Sequence, residues 1–145
     1  MISCLFTRRS VIIIFLLLVA LIPANAFSDS NKEAENKFWL GKIQGTLGKY
    51  QEAVDAFKEA LRINPDYAEA YYYLGAAYSH LNRYQEAADA CKQAIRIKPD
   101  YAIAHLGLGI SYSALGDKGS ALEEYKILKD LDKEMADKLF NVIYK

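Results

Sequence analysis

Apolar and small residues recur along this chain at helical spacing, and the blocks they form recur at one fixed offset. Leu40-Gly41, Ala53, Phe57 and Ala60 in one block correspond to Leu74-Gly75, Ala87 and Ala94 in the next, and to Leu108-Gly109, Ala121 and Tyr125 in a third. Residues 65–81 share ten identities in seventeen positions with 99–115, and 49–65 share eleven in seventeen with 83–99. A fixed period of this length marks a stacked repeat array rather than a domain with one central core. Each block predicts two antiparallel helices. The turns within pairs fall at Gly48-Lys49, Asn82-Arg83 and Gly116-Asp117, where residues tolerant of the left-handed region end a helix. The links between pairs fall at Asn64-Pro65-Asp66 and Lys98-Pro99-Asp100, where proline stops the preceding helix. Asp66 is placed to cap the following helix, with Glu69 three residues on completing a capping box; Asp100 has Ile103 at that place.

The pattern divides the chain into repeats at 34–67, 68–101 and 102–135, with a short polar lead-in at 27–33 expected to be flexible. The third repeat has Lys133 where the others have proline. A further helix follows from Glu134, with Asp132 as its cap and residues 136–145 forming a closing element. At about 100° per residue its apolar side chains, Met135, Ala136, Leu139, Phe140, Val142 and Ile143, cover an arc of roughly 160°. Such a helix caps the third repeat, and its width leaves Phe140 or Val142 free for a second subunit, so a homodimer is the alternative use of that face. One hairpin cannot bury its own apolar side, so about three stacked pairs are the minimum. Gly75, Gly109, Ala87, Ala94 and Ala121 are small where paired helices cross, and Leu74, Tyr78, Leu108 and Tyr112 fill the space beside them.

Tyr71, Leu74-Gly75, Tyr78, Ala87, Ala94 and Pro99 resemble the tetratricopeptide repeat (TPR) pattern. The resemblance implies an all-α fold, a TPR α-solenoid of three helix-turn-helix repeats with a C-terminal capping helix. The first repeat departs from the pattern, with Lys37 and Gln44 at the places of Tyr71 and Tyr78 and an aromatic displaced to Trp39. The family binds proteins or peptides along a concave wall lined by the first helix of each pair. By that resemblance the lining comprises Glu35, Phe38 and Lys42, then Glu69, Tyr72, Tyr73, Ala76 and Ser79, then Ile103, Leu106, Ile110 and Ser113. The contact residues expected are Phe38, Lys42, Tyr72, Tyr73, Ser79, Leu106 and Ile110. The alternative is that several of these side chains simply pack between adjacent helices. One branch of the family clamps a C-terminal carboxylate with basic and amide side chains. The matching places here hold Phe38, Lys42, Tyr73, Ile103 and Gly107, of which only Lys42 is basic, so that clamp is not expected. The wall reads as aromatic at one end and aliphatic at the other, suited to an apolar extended peptide or an amphipathic helix.

Composition and charge narrow this further. Arg8 and Arg9 precede the apolar run Val11–Ile22, followed by Pro23 and Ala24-Asn25-Ala26. This is the layout of a secretory signal peptide at 1–26, cut between Ala26 and Phe27. The run is too short for a membrane span, which needs about 20 residues. The mature protein is then exported, to the periplasm if the source is Gram-negative and otherwise secreted, with no membrane attachment after cleavage. Losing Arg8 and Arg9 leaves 16 basic against 18 acidic residues, a net charge of −2, which is no footprint for nucleic acid. Cys91, without Cys4, has no internal disulfide partner and reads as a small buried helix residue. His80 and His105 have no cysteine or carboxylate at ligand spacing, so no metal is expected. His105, at the place of Tyr71, reads as a packed ring. Glu123-Glu124 and Glu52/Asp55 read as solvated acids. No nucleophile motif, phosphate loop or dinucleotide fingerprint is present. No catalytic residue and no cofactor are expected. The function expected is a non-enzymatic interaction module, an adaptor, scaffold or assembly factor; an accessory subunit of an envelope enzyme is the distant alternative.

Overall fold

The computed structural model describes residues 24–145, with side chains from residue 29 onward. The leader expected at 1–26 therefore lies almost wholly outside the described residues; of the expected cleavage pair, Ala26 and Phe27, the backbone runs in the first helix. The chain forms seven helices over this range: α1 (Ala24–Thr46), α2 (Tyr50–Ile63), α3 (Ala68–His80), α4 (Tyr84–Ile97), α5 (Ala102–Ala114), α6 (Lys118–Leu131) and α7 (Lys133–Ile143). The starts of α2, α4 and α6, at Tyr50, Tyr84 and Lys118, are evenly spaced, as the sequence period requires. The turns inside the pairs place Gly48, Asn82 and Gly116 at φ of 75°, 58° and 80°. Glycine enters that region without Cβ strain, and asparagine tolerates it better than most residues.

Two local expectations are corrected. The lead-in at 27–33 is helical, the opening turns of α1, because Phe-Ser-Asp-Ser-Asn-Lys-Glu contains neither glycine nor proline to interrupt it. Asp66 does not cap α3, and no capping box forms. Its N–H donates to Asn64 Oδ1 at 3.2 Å in a turn closed by the asparagine side chain. The helix then opens after Tyr67, which offers no capping side chain. Side-chain caps occur instead at the third hairpin and its closing helix. Asp117 accepts from the Ser120 N–H at 3.0 Å and Asp132 from the Met135 N–H at 3.0 Å.

The pairs α1/α2, α3/α4 and α5/α6 stack in order, with α3 lying on α2, α5 on α4, and α7 against both α5 and α6. Among the described residues the first helices α1, α3 and α5 touch one another in sequence, whereas α2, α4 and α6 do not. The array therefore bends with its first helices inside, which makes their free sides the concave wall. Close approach at the crossings depends on glycine. A Cβ on Gly75 would lie 2.9 Å from Cys91 Sγ, and one on Gly109 would run into Leu139 of α7.

The interior has two parts. Phe38, Val54, Phe57, Leu61, Leu74 and Tyr78 form an aromatic core across α1–α3. Leu128, Leu139 and Ile143 form an aliphatic one between α6 and α7, with Leu106 and Ile110 of α5 against it. Cys91 and Leu108 join the two halves. On α7, Ala136, Leu139 and Ile143 are buried, while Phe140 and Val142 are 43% and 40% exposed. The apolar arc is thus wider than the surface it covers.

Candidate functional site

The concave wall is built in register. Positions 38, 42 and 45 of α1 recur one period later as 72, 76 and 79 of α3, and again as 106, 110 and 113 of α5. A helix keeps positions at such spacing on one side. Two adjoining clefts open on this wall. The first, about 260 Å³, is lined by Lys42, Tyr73, Ala76, Phe57, Tyr50 and His80, with Gly41 and Gly45 thinning its α1 side. The second, about 160 Å³, is lined by Tyr72, Ala76, Ser79, His80, Cys91 and Ile110. Ala76 and His80 belong to both, so the clefts meet at the C-terminal half of α3.

The structure brings five of the seven expected contact residues into these clefts. Lys42 Nζ lies 4.5 Å from the Trp39 ring centroid and 4.8 Å from that of Tyr73, and it forms no ion pair among the described residues. Each such cation–ring contact contributes about 0.5–1 kcal/mol where solvent reaches it. Together the contacts hold the ammonium over the aromatic wall while leaving its charge uncompensated. Tyr73 stacks on Phe57 with centroids 6.0 Å apart. Tyr72 meets Tyr73 edge-on at 5.1 Å and Tyr101 at 6.0 Å, which fixes both rings.

The other two line neither cleft. Phe38 is 6% exposed, held by Tyr67 at 4.8 Å, Tyr73 at 5.5 Å and Phe57 at 5.9 Å. It is a floor beneath Tyr73, because α1 sits deep against the ring cluster of α2 and α3. Leu106 lines neither cleft and is half-buried against the α6/α7 core. The closing helix, by crossing α5, draws that side chain toward itself.

Two residues at the site carried no signal in the repeat pattern. Tyr50 and His80 stack with centroids 4.2 Å apart and planes 3° apart. Their separation along the chain is not the repeat period, so no register position pairs them. The equivalent of Tyr50 in the next repeat, Tyr84, instead donates to Asn82 Oδ1 at 2.8 Å. Both rings line the first cleft, as Lys42 does.

Burial and two carboxylates set the electrostatics of the rim. Tyr101, at the start of α5, is pushed up to about 12 by burial first and by Glu69 second. Tyr67 is raised by burial, then by Glu35 and Glu69, and Tyr72 mainly by burial. These phenols stay protonated donors throughout the physiological range. The rim is therefore acidic at Glu35, midway along α1, and at Glu69 in the first turn of α3, and cationic further along α1, at Lys42.

Cys91, at the base of the second cleft, is 2% exposed. Burial, with Glu124 as the lesser cause, raises its thiol to about 12, so it is a packing residue at neutral pH. His105 is the buried ring expected, and it is also tethered: Nε2 donates to the Pro99 carbonyl at 2.8 Å, and Nδ1 meets Glu124 Oε2 at 2.7 Å. Glu124 is therefore not a solvated acid; its carboxylate is drawn in by the ring, whereas Glu123 lies outside, 2.7 Å from Lys126. Among the described residues no cluster of His, Cys, Asp or Glu is placed to hold a metal ion, and no helix is long and apolar enough to cross a membrane.

A bent stack of helical hairpins with an aromatic inner wall and pre-formed clefts defines a repeat-built protein-interaction module. This chain belongs to the tetratricopeptide repeat family. Two tetratricopeptide repeat models match it, over residues 40–102 and 81–137. It is similar to the TPR2B domain of yeast Sti1, solved as a pHsp70 complex, at 26% identity and a TM-score of 0.73, covering 78% of this chain and 94% of that one. The Arabidopsis OM64 TPR domain shares the fold at 20% identity and a TM-score of 0.76, covering 79% and 97%. The first TPR of Spaghetti (RPAP3), solved bound to the HSP90 peptide SRMEEVD, shares it at 22% and 0.73, covering 77% and 91%. No curated protein sequence matches the chain.

Proposed function

We propose that this protein is an exported, non-enzymatic adaptor that holds a peptide or helix of another protein in the paired clefts of α1, α3 and α5. The observation that carries this reading is the continuity of the two clefts through Ala76 and His80. Apolar walls, held rigid by ring contacts, meet the uncompensated ammonium of Lys42. An occupant that fits places an apolar or aromatic side chain in the larger cleft and an acceptor beside Lys42, its remaining length running past Ser79 toward Ile110. Aromatic walls with few rotors lose little entropy when they are covered. The similarity to the Sti1 domain, a pHsp70 complex, supports a peptide partner in general. The basic and amide side chains of a carboxylate clamp are not what this wall offers. Export rests on the basic, apolar and A-x-A sequence of 1–26.

The test uses Ala76, which lines both clefts. A photoreactive residue at Ser79 cross-links the occupant in its native compartment, and a synthetic peptide of the captured segment is then titrated calorimetrically. Ala76→Phe fills the clefts and is expected to weaken binding at least about tenfold with the melting temperature unchanged. Equal affinity in that variant moves the binding surface elsewhere. Export is tested separately, by N-terminal sequencing of the protein from a secreting host, with Phe27 as the first residue expected.

A further inference from the structure

Within the array, the outer side of each first helix is covered by the hairpin before it. In α3 that side carries Tyr73, Leu74, Ala77 and Leu81, of which Leu74 and Ala77 are 6% and 4% exposed in the core shared with α2. One period earlier, the same places in α1 hold Trp39, Leu40, Ile43 and Leu47, which are 55%, 43%, 56% and 64% exposed. Helix α1 thus presents the internal interface of the array with no hairpin against it among the described residues. Solenoid ends are ordinarily closed by a polar outer face, and this one is apolar.

The register also says what kind of group belongs there. Tyr78 and Tyr112 receive a lysine from the helix that covers them, with Lys58 Nζ at 5.8 Å and Lys92 Nζ at 5.5 Å from the ring centroids. The equivalent residue in α1 is Gln44, whose Oε1 is buried with no hydrogen-bond partner. Beside it a groove of about 270 Å³ is lined by three acids, Glu52, Asp55 and Glu59, and one base, Lys37, so its charge is acidic on balance. Glu52 and Asp55 form no ion pair among the described residues. An apolar surface bordered by lysines would satisfy both features.

The opposite end of the molecule has that surface. Tyr125, Phe140 and Tyr144 form a ladder of rings with centroid spacings of 5.6 and 4.6 Å. Lys118 Nζ lies 4.6 Å from the Tyr144 ring and Lys129 Nζ 5.9 Å from the Tyr125 ring. Phe140 and Tyr144 are 43% and 55% exposed. We infer that the lysine-bordered ladder of α6/α7 in one copy docks on the acid-bordered Trp39–Leu47 face of α1 in the next, so that copies of this chain add head to tail. The two patches differ, so the contact is heterologous, and addition continues as an open array or closes as a ring. Assembly places several concave grooves in series without occupying any of them.

Sedimentation of the full chain at rising concentration tests this. The mean mass is expected to climb beyond a dimer, and to fall as salt screens the carboxylate–lysine pairs. Trp39→Glu blocks one end and Phe140→Glu the other; each variant alone is expected to be monomeric, with association weakened about 30-fold or more, the scale of a central aromatic anchor. Mixed in equal amounts, they retain one good end each and are expected to form dimers and nothing larger. Thermal melts by circular dichroism verify folding, and Ile43→Lys and Tyr144→Glu replace either variant whose melt is altered. Overturning results are a wild-type protein that stays monomeric, an unrelated basic helix being the only occupant of the α1 face, association that survives either single variant, as a twofold contact through α1 or α7 would, or a mixture that remains monomeric.

Discussion

The second and third hairpins follow the same repeat period, yet they fill the seam with the neighbouring hairpin by different means. In the second, Tyr71, Tyr73 and Leu74 of α3 join Phe38, Phe57 and Tyr67 in a cluster of rings. In the third, the equivalents of Tyr71 and Tyr73 are His105 and Gly107. His105 ties the Pro99 carbonyl to Glu124, and Gly107 lets α5 approach Cys91. The aliphatic side chains of α7 then complete the packing. One period thus supports two chemistries of cohesion. Ring contacts tolerate shape change gradually, whereas a buried polar tether is satisfied or broken. The groove follows the same division, with its firm aromatic wall over the first two hairpins.

The strongest way to sharpen this contrast is at the closing helix. Leu139 is fully buried and occupies the space left by Gly109. Leu139→Ala is expected to cost about 2–5 kcal/mol in chemical denaturation. Since each hairpin touches only its neighbours, hydrogen exchange should show the lost protection in α5–α7, with α1 and α2 retaining theirs. Uniform loss over all the helices would mean that the two halves fold as one unit.

The polar tether is the next target. His105→Ala leaves the Pro99 carbonyl and Glu124 without their partner and is expected to cost about 1–3 kcal/mol. Tyr71→Phe, at the same place in the second hairpin, removes only a hydroxyl from a half-buried ring and is expected to change stability by less than about 0.5 kcal/mol. Comparable losses at the two places would mean that the two seams cohere in the same way.

Cys91 lies at the seam between the halves and gives a pH signature. Its folded thiol is raised to about 12 by burial, while an exposed thiol ionises near about 8.5. The unfolded chain therefore releases a proton above about pH 8.5 that the folded chain retains, so stability falls as pH rises from there. Denaturation midpoints between pH 7 and 10 are expected to decline in the wild type and less so in Cys91→Ala. At constant pH, alkylation of Cys91 should proceed only as fast as the seam opens.

The smallest effect concerns helix starts. Asp117 caps α6, and the Ser120 N–H, followed by its hydroxyl, holds the Asp117 carboxyl below the usual range. A depressed carboxyl contributes stability that is present above its unfolded pKa and lost as pH falls through the folded value, so α6 weakens on acidification. The equivalent starts of α2 and α4 are Lys49 and Arg83, neither with a side-chain cap bond. Lys49→Asp gives the first hairpin the cap of the third and is expected to add about 0.5–1 kcal/mol, read as a shift in denaturation midpoint.

How far the groove could be read in advance depended on distance along the chain. Lys42, Tyr72, Tyr73, Ser79 and Ile110 line the two clefts, because each position on a helix of known phase has a fixed side. Phe38 and Leu106 shared that phase but line neither cleft. Phe38 lies under rings brought in from α2 and α3, and Leu106 lies beside a closing helix that does not follow the repeat period. Asp132 was legible as a cap from local order alone. Asp66 was not, since α3 opens one residue later, after Tyr67, while the Asp66 N–H closes a turn on Asn64. Glu124 read as a surface acid because nothing within its own helix reveals His105, which belongs to the preceding one.

The amino-acid order by itself determined the period, the helix pairs and their turns. These follow from short-range facts: which residues tolerate positive φ, where proline denies a hydrogen bond, and which faces are apolar at helical spacing. Tertiary packing alone decided which of those apolar faces were covered. It sank Phe38, drew Glu124 inward, joined Tyr50 to His80, and among the described residues left the Trp39–Leu47 side of α1 open. Burial depends on what a neighbouring hairpin brings against a face, and a repeat carries the specification of its own face without that of its neighbour.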